Sequence, residues 1–149
     1  MHDLGELKNV IPVALTREQA EVKISLVSME LYAAGMLLHL HLRLQGDREF
    51  PLGKFRGPQG PEAAIRVADQ IGEYSRSNYM MAGGSRKEWR FSYVLTPALR
   101  PSASWLRVDI GEIAMTLVTS SGDDYRERWR GPWIFDVSLP PDVGPTSLT

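Results

Sequence analysis

Apolar and polar residues alternate along much of this chain, most clearly in Leu37-Leu38-His39-Leu40-His41-Leu42-Arg43-Leu44. A strand turns successive side chains to opposite faces. The pattern therefore predicts a central strand with Leu38, Leu40, Leu42 and Leu44 buried, and with Leu37, His39, His41 and Arg43 on a mixed face. Before it, Ala33-Ala34-Gly35 predicts a tight connection in which Gly35 is free to take positive φ.

Residues 16–32 fit two templates. Thr16-Arg17-Glu18-Gln19 has the form of a helix capping box, and Ala20, Ile24, Val27 and Leu31 fall at helical spacing. Against this, Val22, Ile24 and Leu26 alternate, and Val27, Met29 and Leu31 alternate in the opposite phase. One extra residue near Leu26–Val27, a β-bulge, reconciles the halves, so strand is the favoured reading. Residues 10–15 contain Pro12 and predict a short edge strand.

Further on, Ala63, Ile65 and Val67 alternate inward, and Asp69-Gln70-Ile71-Gly72 has turn composition, because aspartate can bond the backbone that follows it. Residues 74–81 read as a returning strand. Trp89, Phe91, Tyr93 and Leu95 make an aromatic stripe that Thr96-Pro97 ends. Residues 105–110 and 113–119, separated by Gly111, predict two strands. Residues 120–131 read as a polar loop, and Trp133, Phe135, Val137 and Leu139 as a last inward stripe. Residues 45–61 hold glycine and proline too often for a regular element. Eight or nine short strands without helix–strand alternation predict an all-β, antiparallel sandwich or barrel. Residues 10–139 form one domain on this reading, between a flexible arm (1–9) and a disordered tail (140–149).

Composition narrows the chemistry. A chain of 149 residues is long enough to bury a core without metals or disulfides. It has no cysteine, which removes thiolate zinc sites, iron–sulfur clusters and a cysteine nucleophile and fits a reducing compartment. The net charge of −1 argues against a whole-domain footprint for nucleic acid. Neither a secretory signal nor an apolar run of about 20 residues is present. A cytoplasmic protein without a membrane span is expected, unless a signal has been removed.

Three motifs together point to a family. Leu31-Tyr32-Ala33-Ala34-Gly35, then Asp69-x-x-Gly72-x-Tyr74, then Trp89-x-Phe91 running to Thr96-Pro97 and Trp105-Leu106-Arg107-Val108 occur in this order. In these the chain resembles uncharacterised bacterial, actinobacterial-type immunoglobulin-like β-sandwich proteins, over roughly residues 20–139. The resemblance implies the sandwich architecture. It implies no catalytic residue set, and the cysteine pair and intervening tryptophan of antibody-type domains are missing here.

Candidate chemistry is sparse. His39 and His41 share a strand face and could turn toward one metal, with a further ligand such as His2 or a carboxylate. Asp123, Asp124 and Glu127 lack the spacing of a calcium loop. Arg86-Lys87-Glu88-Trp89-Arg90 and Arg126-Glu127-Arg128-Trp129-Arg130 mix cations with indoles, as single-strand binders do, but each includes a glutamate. Trp129, in the polar loop, has the character of an exposed interface anchor. No Gly-x-Ser-x-Gly elbow, P-loop or distinctive carboxylate pair occurs. The chain thus reads as a non-enzymatic protein-binding or assembly module without a cofactor, open to homo-oligomerisation. Its expected contact residues are Phe50, Phe55, Arg56, Tyr125, Arg128, Trp129 and Arg130. The alternatives are a metal- or small-molecule-binding protein centred on His39 and His41, and a single-stranded nucleic-acid binder acting through Trp129 and its neighbouring arginines.

Overall fold

The computed structural model describes residues 3–50, 53–55, 62–119 and 121–139, with backbone only for 53–55 and 77–83. Among the described residues, nine strands and no helix build the chain. They are β1 (Leu7–Gln19), β2 (Val22–Tyr32), β3 (Met36–Leu44), β4 (Gly53–Phe55), β5 (Glu62–Ala68), β6 (Glu73–Gly84), β7 (Glu88–Thr96), β8 (Trp105–Thr119) and β9 (Asp124–Ser138).

All pairings are antiparallel. A front ladder runs β1-β2-β3-β7-β6, and a back ladder joins β8 to β9 on one edge and to β5 and β4 on the other. The two meet where β5 pairs β6 at Val67↔Tyr74 and Ala68↔Glu73, beside their turn. The sheet then curls until β1 lies along β9. There Arg17 Nε donates to the Ile134 carbonyl at 3.0 Å and Gln19 Nε2 to the Gly131 carbonyl at 3.5 Å.

The inward faces share one core. Leu38, Leu40 and Leu42 of β3 and Phe91 and Tyr93 of β7 belong to the same buried cluster as Val108 and Ile110 of β8 and Trp133 and Phe135 of β9. Two polar ties cross it. The Trp133 indole donates to the Val22 carbonyl at 3.1 Å, and the Tyr93 hydroxyl accepts from the Ala63 N–H at 3.1 Å. At the β5–β6 corner, Asp69 accepts from the N–H groups of Ile71 (2.7 Å) and Gly72 (3.0 Å), as its turn chemistry predicts.

Several sequence expectations need correction. Thr16-Arg17-Glu18-Gln19 ends strand β1 and caps no helix. Residues 20 and 21 form the β1–β2 turn with Ala20 at φ 53° and Glu21 at φ 66°. That is hairpin geometry without the Asn-Gly that usually announces it. The bulge is where the alternation places it. Leu26 pairs Leu40 and Ser28 pairs His39, which leaves Val27 as the extra residue. β1 begins at Leu7, inside the stretch read as a flexible arm, and Ala34 N–H bonds the Leu4 carbonyl at 2.9 Å. The 45–61 loop contains the short strand β4. Gly111 ends no strand. It is skipped in the β8–β9 register between Ile110 and Glu112, and β8 runs through it. Residues 124–131, read as loop, belong to β9.

Gly35 is needed for space. Its φ is not among the positive ones, but a Cβ there would meet the Leu95 carbonyl oxygen at 2.7 Å and Leu4 Cδ2 at 2.8 Å. Because backbone cannot swing aside as a side-chain tip can, Gly35→Ala is expected to lower stability by about 1–3 kcal/mol. Urea unfolding measures this, and an unchanged midpoint would show that the β7 end yields freely.

Candidate functional site

The outward face of the front ladder carries the site. The bulge at Val27 changes the phase of β2, so Ser25 and Ser28 both face outward while Leu26 and Met29 stay buried. Register then sets their neighbours across β3 and β7. Ser28 pairs His39, which pairs Ser92, and Ser25 pairs His41, which pairs Arg90. These residues floor a groove of about 960 Å³, flanked on the β1 side by Ala14 and Thr16. Ala14 has φ 54°, in the irregular stretch of β1 between Pro12 and Leu15 that faces the bulge.

The two histidines are held differently. His39 has both ring nitrogens engaged, with Nδ1 2.7 Å from Ser92 Oγ and Nε2 bonded to Glu30. Glu30 also accepts the Tyr32 hydroxyl. Burial pushes the Glu30 carboxyl up, but the bonds from Tyr32 and His39 outweigh it and hold the group below its ordinary value. The same bond to Glu30, reinforced by burial, raises the Tyr32 hydroxyl. His41 has one described partner, Glu88, 3.2 Å from its Nε2. Thr16 and Ser25 hydroxyls lie 2.9 Å apart.

Ser92, His39 and Glu30 are the residue types of a nucleophilic relay, yet the setting opposes that use. Ser92 is only 3% exposed. It sits mid-strand, paired with His39 on one side and Met81 on the other, where the ladders occupy the backbone donors an oxyanion hole would need. The arrangement instead fixes the imidazole in one orientation. Nor do the histidines offer a ready metal centre. An ion at His39 would have to displace Ser92 or Glu30, and among the described residues no group of three or more His, Asp or Glu side chains is arranged to hold one. His2 lies outside the described residues.

The other expected contact residues are placed elsewhere. Trp129 is no exposed anchor. β9 turns it inward, 4% exposed, edge-on to Phe50 with ring centroids 5.9 Å apart. Phe50 is itself buried and pins the 45–50 segment. Arg86 Nε donates to the Phe50 carbonyl at 3.1 Å and pairs with Glu49 at 3.3 Å, so the first basic cluster clamps this segment. Tyr125 is half-buried and donates to Glu127 at 2.7 Å, while Glu127 also binds Arg48. That pairing ties one of the three acidic residues weighed as a calcium loop to an arginine. Arg128 and Arg130 are exposed on β9. The side chain of Phe55 and all of Arg56 lie outside the described residues. With Trp129 buried, the stacking platform of the nucleic-acid reading is gone. Sequence reasoning singled out His39 and His41 but missed Ser25, Ser28, Glu30, Arg90 and Ser92 as their neighbours. For Ser25, Ser28 and Glu30 the signal was the β2–β3 hairpin register together with the bulge, whereas Ser92 and Arg90 arrive by pairing with the distant strand β7.

Among the described residues no helix is long and apolar enough to cross a membrane. No family model matches the chain, and no curated protein matches it. Among solved structures, the chain is similar to a crystal structure described as the conserved domain protein from Bacillus anthracis, with a TM-score of 0.66 at 10% sequence identity. The match covers 91% of this chain and 50% of the other, so the chain spans about half the length of that protein. A likeness at this identity concerns the fold alone.

Proposed function

We propose that this protein is a non-enzymatic binding module that seats an extended segment of a partner protein in the groove over His39 and His41. The observation that carries the reading is the prepared floor of that groove. His39 is fixed from both sides by Ser92 and Glu30, so a ligand meets donors and acceptors already oriented. The volume, about 960 Å³, suits a short segment, and the 46% exposed Val27 adds an apolar contact. Immunoglobulin-like kinship is part of the same proposal, supported by two antiparallel ladders that share one core.

Ser28→Arg, which fills the middle of the groove, is expected to abolish recovery of partners from the source cell, whereas Thr116→Arg on the back ladder leaves recovery unchanged. The comparison is read by mass spectrometry of material retained on each variant. Equal recovery by both variants would reject the groove as the binding site.

A further inference from the structure

One row of outward side chains crosses the groove from strand to strand: Thr16 pairs Ser25, Ser25 pairs His41, and His41 pairs Arg90. Adjacent strands lie about 4.8 Å apart, so three neighbouring polar groups come within reach of one small oxyanion. The carboxylates on this face are already occupied. Glu18 pairs with Lys23 at 3.3 Å, Glu30 with His39 and Tyr32, and Glu88 with His41. Arg90 lines the groove and, among the described residues, has no carboxylate partner. A guanidinium presents five donors and no acceptor, so its complement is an oxyanion. His41 Nδ1 likewise has no partner among the described residues, whereas both nitrogens of His39 are engaged.

We propose that Arg90, His41 and Ser25 form an oxyanion subsite that seats a carboxylate or phosphoryl group carried by the ligand of the groove. The proposal rests on the groove being the binding site and adds the chemical class of what it holds. Arg126 and Arg128 of β9 are poorer candidates, since they already face Asp124 at 3.8 Å and Glu112 at 3.9 Å. The charged and titratable groups on this face are Glu18, Lys23, Glu30, Tyr32, Arg43, Glu88 and Arg90. Of these, Glu88 already touches His41 Nε2, at 3.2 Å.

Sulfate, a small tetrahedral oxyanion, tests this. Histidine ring signals are followed by NMR while sodium sulfate replaces sodium chloride at fixed ionic strength. A saturable shift at His41 is expected, weakened about tenfold or more in Arg90→Gln. Acetate and methyl phosphate added as competitors distinguish the carboxylate from the phosphoryl source by which displaces sulfate at lower concentration. Shifts that do not saturate, that are unchanged in Arg90→Gln, or that appear only on β9 would overturn the subsite. Loss of partners in Ser28→Arg without any sulfate response would overturn the subsite alone. Failure of both experiments would remove the groove as well.

Discussion

Asp69→Ala is expected to lower the stability of the protein by about 3–5 kcal/mol, because it breaks a buried, fully engaged ion pair from one side. The Asp69 side chain is 0% exposed and 3.0 Å from Arg100 Nη1. It also accepts the N–H groups of Ile71 and Gly72 and the Tyr74 hydroxyl at 2.6 Å. Tyr74 in turn accepts the Arg100 N–H at 3.1 Å, so one carboxylate fastens the β5–β6 turn to the chain that leaves β7. Burial pushes the Tyr74 hydroxyl up to about 12, which keeps it a donor across the neutral range. Burial alone would also raise the Asp69 carboxyl. Its bonds to Tyr74, Gly72, Ile71 and Arg100 outweigh this and hold it below the usual value of 3.8. A carboxyl lowered on folding contributes stability that is complete above its unfolded pKa and is lost as pH falls through the folded one. The stability gap between the parent and Asp69→Asn should therefore stay constant from about pH 8 to about pH 5 and close below about pH 4. Urea unfolding across that range measures it. A gap that widens on acidification would contradict the assignment.

Trp133→Ala should be comparably severe, at about 3–5 kcal/mol, which is a large share of a typical domain stability of about 5–15 kcal/mol. Trp133 is fully buried and is the largest such side chain in the core. It sits on β9, and its indole N–H bonds the Val22 carbonyl on β2, 111 residues away in sequence. Truncation opens a cavity and also leaves that carbonyl without its donor. Trp133→Phe shifts the weight onto the bond, since it loses the N–H but keeps much of the apolar volume, for about 1–3 kcal/mol. Comparing urea midpoints of the two variants tests the division. A loss below about 1 kcal/mol for the alanine variant would mean that β9 is not fastened at this point.

Much of the scaffold was legible in the residues. The leucine face of β3, the aromatic stripe of β7, the Asp69 turn and the bulge at Val27 all follow from alternation and turn chemistry. What escaped had physical causes. Gly111 looks like a boundary because a glycine bulge and a strand end have the same composition, and only the partner strand distinguishes them. The first half of β9 looked like loop because Glu127 occupies a half-buried position in its alternation. Its charge is met by Arg48, from a segment 79 residues away, and no local pattern can foresee that partner. The same limit applied to the groove. The face of the two histidines followed from their spacing, but Glu30, Ser92 and Arg90 reach them through pairing between strands, and Trp129 could be assigned to the interior only once β9 was known to be a strand.

The extra residue at Val27 has a consequence of parity. Ser25 and Ser28 are an odd number of positions apart, so an unbroken strand would send them to opposite sides of the sheet. They share a side only because the register shifts between Leu26 and Ser28. Absorbing Val27 into an unbroken ladder, with no residue removed, would act on β2 as a frameshift acts on a gene. Every residue beyond it would keep its chemistry and change its meaning, with Ser28 and Glu30 read into the core and Met29 and Leu31 read out into water.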